Sequence, residues 1–226
     1  MKNSQIVVLV KKCLKGDKES YSSIIRHFQQ KVYHLCFHLL GTPQDAEDAA
    51  IEVFIKAYRA LKDFNPQYAF STWLSRIAVN HSIGLLRRQK REREYLLAEA
   101  ANPTSMTEGK SPDTVFFNNS QQKALESVLP LLPVKYRTAL MLKYQQELSY
   151  KEISEIMDIP VNTVGSLILR GKQELREKLN LNQRGGRRPQ PIQGQPDAVL
   201  SRLHLKSKVC RKNKVSQGIS KKSRRH

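Results

Sequence analysis

Asp45, Glu47, Asp48 and Glu52 place four carboxylates and no base within residues 43–52. On a helix Asp45, Asp48 and Glu52 fall at i, i+3 and i+7 and share a face. Three chemistries suit such a cluster. It can be a solvated face favoured by the positive end of a helix, a docking surface for a basic groove on a partner protein, or a divalent-metal site for phosphodiester cleavage. The last needs a general base, and nothing nearby supplies one. His34 and His38 lie four apart on a helix, but no third metal ligand accompanies them, so a solvated face is the expectation and no metal or other cofactor is implied.

A second constellation crowds aromatic and basic residues together. Phe64, Tyr68, Phe70 and Trp73 flank a loop, and Arg76, Asn80, Arg87 and Arg88 follow, with five Lys/Arg among residues 87–93. Ring faces stack on unpaired bases, guanidinium groups neutralise phosphates, and an Asn side chain can hydrogen-bond the edge of an extruded base. The competing reading is that Phe70 and Trp73 simply complete a core. A third constellation begins at Ser149-Tyr150-Lys151-Glu152, a capping-box sequence that opens a short helix to Met157. The turn Asp158-Ile159-Pro160 follows, then a helix carrying Asn162, Thr163, Ser166, Arg170 and Lys172. That is the pattern of a helix-turn-helix, in which small polar residues near the start of the second helix reach base edges. Arg137, Lys151, Arg170 and Lys172 are then placed to fix register on phosphates, while Val161, Val164 and Ile168 face inward. A surface for opened strand and a motif for intact duplex in one small chain point to a promoter-opening factor.

The elements that carry these groups are helical. Val32, Leu35, Cys36, Leu39 and Leu40 repeat at helical spacing within residues 5–40, and Gly41 ends that stretch. Thr42 is the expected N-cap of the next helix, with Pro43 in its first turn and Ala46, Ala50, Val53, Phe54, Ala57 and Leu61 on its apolar face. Asn65-Pro66 breaks it, and Ser71 is the expected N-cap of a helix to about Glu94. Residues 99–119 are rich in turn formers and poor in apolar periodicity, as a linker would be. Helical pattern resumes near Gln121 and runs from Leu132-Pro133 through Tyr144. No stretch of alternating β-branched residues competes. The expected fold is all-α: two small helical domains at 5–95 and 120–181, a linker over 96–119, and a tail at 182–226.

The charge balance fits this division. Lys and Arg total 39 against 20 acids, a net charge of +19. The tail from Asn182 holds 13 Lys/Arg against one acid, Asp197, which is +12, so the other 181 residues carry only +7. With abundant Gly, Pro and Gln and no Phe, Tyr or Trp, the tail is read as disordered. Three scattered cysteines without a CxxC argue for a reducing cytoplasm. There is no 18-residue apolar run and no signal peptide, so no membrane insertion is expected.

Two longer stretches carry a family resemblance. Gly41-Thr42-Pro43-Gln44-Asp45-Ala46-Glu47-Asp48-Ala49-Ala50-Ile51-Glu52-Val53-Phe54 and Phe70-Ser71-Thr72-Trp73-Leu74-Ser75-Arg76-Ile77-Ala78-Val79-Asn80 resemble region 2 of the bacterial extracytoplasmic-function (group IV) sigma factors of the sigma-70 family. Leu132-Pro133-Val134-Lys135-Tyr136-Arg137 and Leu148 through Val164 resemble their region 4. The resemblance covers roughly residues 5–180. It implies that Asp45, Glu47, Asp48, Glu52 and Phe54 dock on the β′ clamp helices of core RNA polymerase, and that the β flap is also a partner. It implies that Phe64, Phe70, Ser71, Trp73, Arg76, Asn80, Arg87 and Arg88 melt and hold the −10 element of promoter DNA. Arg137, Lys151, Asn162, Thr163, Ser166, Leu169, Arg170 and Lys172 would read the −35 element. An anti-sigma factor is a further implied partner, and no small-molecule substrate is implied. Four positions depart from the family: Ile51 stands where Gln is usual, Asp158 where the turn usually has Gly, and Gly165 and Leu167 where basic residues are usual. Two rivals make distinct claims. A helix-turn-helix regulator would bind duplex without polymerase, and a metal-dependent nuclease would cleave DNA with Mg²⁺.

Overall fold

The computed structural model describes residues 1–99 and 120–184; of the linker expected at 96–119, residues 96–99 are helical and the rest lie outside the described residues, and of the tail expected at 182–226, residues 182–184 are helical and the rest lie outside them. Every regular element described is helical, as expected. The first lobe contains α1 (Asn3–Leu14), α2 (Lys18–Leu40), α3 (Pro43–Arg59) and α4 (Phe70–Glu99). The second contains α5 (Ser120–Val128), α6 (Val134–Leu140), α7 (Tyr150–Met157) and α8 (Val161–Arg184).

Local chemistry sets the helix ends. Asp17 caps α2 by accepting from the amides of Glu19 and Ser20, at 3.0 and 3.2 Å. Gly41 closes the other end at φ 94°, a left-handed conformation that costs glycine little. Thr42 caps α3 as expected, its hydroxyl accepting from the Asp45 amide and donating to the Asp45 carboxylate. Ser149 and Glu152 form the expected reciprocal capping box at the start of α7. Asp158 ends α7 at φ 53°, so an Asp does occupy the turn where a positive φ is required.

Other expectations change. Ser71 does not cap α4. The amides of Thr72 and Trp73 donate to the Ala69 carbonyl, so Ser71 already lies inside the first turn, and the helix continues to Glu99. The stretch through Tyr144 is not one regular helix, because α6 stops at Leu140 and a wider π-type turn spans Met141–Gln145.

Burial follows the helical periodicity. Alanines at 46, 49, 50 and 57 line the inner face of α3 with Val53, which brings α3 close to α2. Leu35, Leu39, Phe70, Leu74 and Ala78 fill the space below. In the second lobe Leu140, Ile153, Val164, Ile168 and Leu175 are buried, and α6 crosses α8 at Gly171. A Cβ at Gly171 would stand 3.2 Å from Tyr136 Cβ and 3.2 Å from Leu140 Cδ1, so a side chain there would press these neighbours apart by a few tenths of an ångström. The two lobes also pack on each other, α4 against α7 and α2 against α6.

Candidate nucleic-acid and partner interfaces

The acidic face of α3 is solvent-exposed at Glu47, Asp48 and Glu52, whereas Asp45 is half-buried and engaged by Thr42. Phe54 departs from the expected role of direct contact. Its ring is buried, and its carbonyl accepts from the Tyr21 hydroxyl at 2.5 Å, so it shapes the surface from beneath. Beside the acids runs a feature the sequence did not advertise: a groove of about 520 Å³ between α2 and α3. Tyr21, Ile25, Ile51, Phe54, Ile55 and Tyr58 line it, with Lys18 and Arg59 at its rim. Ile51 is 60% exposed, a large apolar side chain left without cover.

On the far side of α3, Lys56 Nζ donates to His81 Nδ1 at 2.7 Å. Burial, then the Lys56 charge, hold the His81 ring below its ordinary pKa, with Glu52 opposing, so the neutral ring is the stable form.

The aromatic set divides by depth. Phe70 is 0% exposed and sits among Phe28, Phe64 and Trp73 at centroid distances of 5.5, 5.2 and 5.3 Å. It offers no face to a base. Phe70 anchors the loop as the core-packing reading proposed, whereas Phe64, also buried, borders the cavity that Trp73 reaches. Trp73 is half-buried and packs on both rings, yet it reaches a cavity of about 440 Å³. Asp63, Asn65, Tyr68, Arg76, Glu155 and Ile156 are among the residues around that cavity. From it an exposed stripe continues along α4: Arg76, Asn80, Arg87 and Arg91 fall on one face by helical spacing, and Arg88 is exposed on the adjacent face. Arg88 pairs with Glu92 at 2.8 Å, an exposed contact of small energetic weight.

Sequence reasoning missed Asn3. Its side chain accepts from the Phe70 amide at 3.0 Å and donates to the Tyr68 carbonyl at 3.4 Å, tying α1 to the loop. No local pattern signals a contact across 67 residues. Tyr68, exposed and at the mouth of the cavity, was visible as a loop aromatic but stood outside the expected contact set.

In the second lobe Asn162, Thr163, Ser166, Leu169 and Arg170 are exposed along α8, and Lys151 is exposed on α7. Lys172 is half-buried and lies over the Tyr144 ring at 5.3 Å. Val164 and Ile168 are buried as expected, but Val161 is exposed at the helix start and joins the outward face. Arg137 departs furthest from expectation. It is 5% exposed, its Nε has no hydrogen-bond partner, and burial lowers its pKa. Among the described residues no three His, Cys, Asp or Glu side chains converge as a metal site, and no helix is long and apolar enough to cross a membrane.

Comparison with known proteins adds to this geometry. Residues 24–92 match the family model for sigma-70 region 2, and residues 122–175 match that for sigma-70 region 4. The ECF RNA polymerase sigma factor SigW of Bacillus subtilis (strain 168) is 38% identical over 177 residues, which is 75% of this chain and 94% of that protein. The ECF RNA polymerase sigma-E factor of Escherichia coli (strain K12) is 33% identical over 178 residues, 76% of this chain and 93% of that protein. Among solved structures, CnrH in complex with the cytosolic domain of CnrY aligns with a TM-score of 0.55 at 19% identity, covering 77% of this chain and 97% of that one. That likeness is one of fold.

Proposed function

This chain belongs to the extracytoplasmic-function branch of the sigma-70 family, and we propose that it binds core RNA polymerase and directs it to promoters by reading −10 and −35 elements. The chemistry of RNA synthesis belongs to the polymerase; this chain supplies binding free energy and works where that enzyme works, in the cytoplasm. The observation that carries the reading is the α4 surface. Aromatic residues at the start of the helix border a cavity that α7 closes on its other side, and the helix continues outward as a stripe of Arg76, Asn80 and Arg87 with Arg88 beside it. Stacking and phosphate neutralisation side by side suit an unpaired strand, and a duplex-only regulator has no use for them.

We assign promoter opening to residues 5–95 and −35 readout to residues 120–181. Trp73, Tyr68, Arg76 and Asn80 form the strand-holding surface, with Phe64 and Phe70 as its support. On α8, Asn162, Thr163, Ser166, Leu169 and Arg170 face the duplex. The α3 face of Glu47, Asp48, Ile51 and Glu52 docks on the polymerase β′ clamp helices, its acids meeting basic groups and its groove accepting an apolar side chain. An anti-sigma factor remains a partner of the same surfaces.

In vitro transcription with core polymerase on a promoter library tests this. The chain should confer initiation from a defined subset. Asn80→Ala should keep polymerase binding but weaken permanganate reactivity of the −10 thymines, since a good bidentate hydrogen-bonded contact to a base edge is worth about 1–3 kcal/mol. Duplex binding without any affinity for core polymerase would overturn the reading.

A further inference from the structure

Most of the chain's net charge lies in residues that the promoter-reading surfaces do not use: 182–226 hold 13 Lys/Arg against one acid. These cations are unevenly spread. Arg184, Arg187 and Arg188 stand at the end of α8. Residues 189–201 then contain no Lys or Arg before Arg202, but three prolines, Pro189, Pro191 and Pro196. Ten basic residues and no acid follow between Arg202 and Arg225. A spacer thus separates the helix from a basic block.

The course of α8 fixes where that block is delivered. Asn162, Thr163, Ser166, Leu169 and Arg170 are exposed on its opening turns. The helix runs on to Arg184, about 21 Å beyond Arg170 at about 1.5 Å per residue. From Arg184 to Arg202 the chain can span at most about 60 Å. A duplex held by the start of α8 is therefore within reach of Arg202, and the residues after it extend that reach. Composition then selects the ligand. With no Phe, Tyr or Trp from Asn182 onward, the segment has no ring to stack on an unpaired base and none to anchor at a membrane interface. Its Lys and Arg side chains neutralise phosphates, and duplex DNA presents one negative charge per about 1.7 Å of axis, about twice the density of a single strand.

We infer that residues 202–225 are a second, sequence-independent DNA contact, neutralising phosphates of the duplex that flanks the −35 element while α8 reads its bases. Only the location rests on the placement of α8 on duplex; the contact itself needs neither promoter sequence nor polymerase. Once α8 is seated, the encounter of the block with DNA is intramolecular, so contacts of low individual affinity still add to the total.

The experiment compares the full chain with a full-length variant carrying Arg202→Gln and the same change at the other nine Lys/Arg through Arg225. Affinity for a random-sequence duplex of about 40 base pairs is measured between about 50 and 200 mM salt. Each phosphate neutralised contributes about 0.9 to the slope of log K against log salt. With about half of the block engaged, the variant's slope should be shallower by about 4.5, and its deficit against the unaltered chain should shrink about 500-fold across that range. Equal slopes overturn the inference. A single strand of the same length and phosphatidylserine vesicles are comparison probes; a larger loss of affinity on either than on the duplex overturns the duplex assignment. A second readout tests location. Cys13 and Cys36 are buried, and Cys210 lies inside the block. An iron chelate attached to Cys210 in the polymerase-bound chain should cleave promoter DNA beside the −35 element, and cleavage elsewhere or nowhere overturns the location. Failure of both chains to direct transcription, with the slope difference retained, would refute the promoter reading and leave the tail contact supported.

Discussion

Replacing Ile51 with Ala isolates the apolar part of polymerase docking. The substitution removes three carbons, each worth about 0.8 kcal/mol when taken from water to a fully buried site. Ile51 is 60% exposed in the free chain, so about that fraction is still available to a partner. The loss on docking is then about 1.4 kcal/mol, or tenfold in Kd. Folding should hardly change, since the small burial already present is offset by the better helix propensity of Ala. Asp48→Asn gives the control. An exposed charge contributes about 0.2–1 kcal/mol, and salt screens it over a Debye length of about 8 Å at physiological ionic strength. Titration of core polymerase at low and high salt separates the two. The Ile51→Ala deficit should persist unchanged in high salt, and the Asp48→Asn deficit should shrink. An unchanged Kd for Ile51→Ala, with the fold intact, would refute the assignment of this groove to docking.

Two glycines of α8 should respond to substitution in opposite directions. Gly171→Val should cost about 1–3 kcal/mol through overpacking against Tyr136 and Leu140. Gly165→Ala, whose Cβ would stand 3.6 Å from the Tyr150 ring, should stabilise by up to about 1 kcal/mol. Denaturant melts of both variants check this, and a shared sign would contradict the packing described. The Lys56–His81 contact gives a pH dependence. Because the folded ring sits below its ordinary pKa, the unfolded chain takes up the proton first as pH falls through about 6.5, and stability drops. His81→Asn should flatten the slope of Tm between pH 7 and 5; an unaltered slope would exclude His81 as its source.

The helices and their caps were legible because their signals are local. Thr42, Ser149 with Glu152, and Gly41 each act within one turn of the residues they satisfy. The exposed stripe of Arg76, Asn80 and Arg87, with Arg88 beside it, follows from helical period alone. What escaped depends on distance in the chain. Residue type suggested that Phe70 and Arg137 could meet nucleic acid, but only tertiary packing shows that both are enclosed. The groove beside Ile51 arises from two helices together, and neither carries it in its own sequence. Gly171 looked like any helical glycine until Tyr136 and Leu140 were placed against it.

The tie between Asn3 and the Tyr68–Phe70 segment has a consequence for how the protein is made. At about 5–20 residues per second, the ribosome adds Phe70 several seconds after Asn3. The front of the chain must therefore wait, unpaired, for the loop it will fasten, and the strand-reading cavity is among the last parts of its lobe to take shape. Residue 152 is made later still, so a nascent first lobe presents the Trp73 and Arg76 surface before α7 exists to close over it. A bulky fusion joined directly ahead of Lys2 would crowd the fastening without touching any core residue, and the damage would appear as slack in the loop of an otherwise well-folded protein.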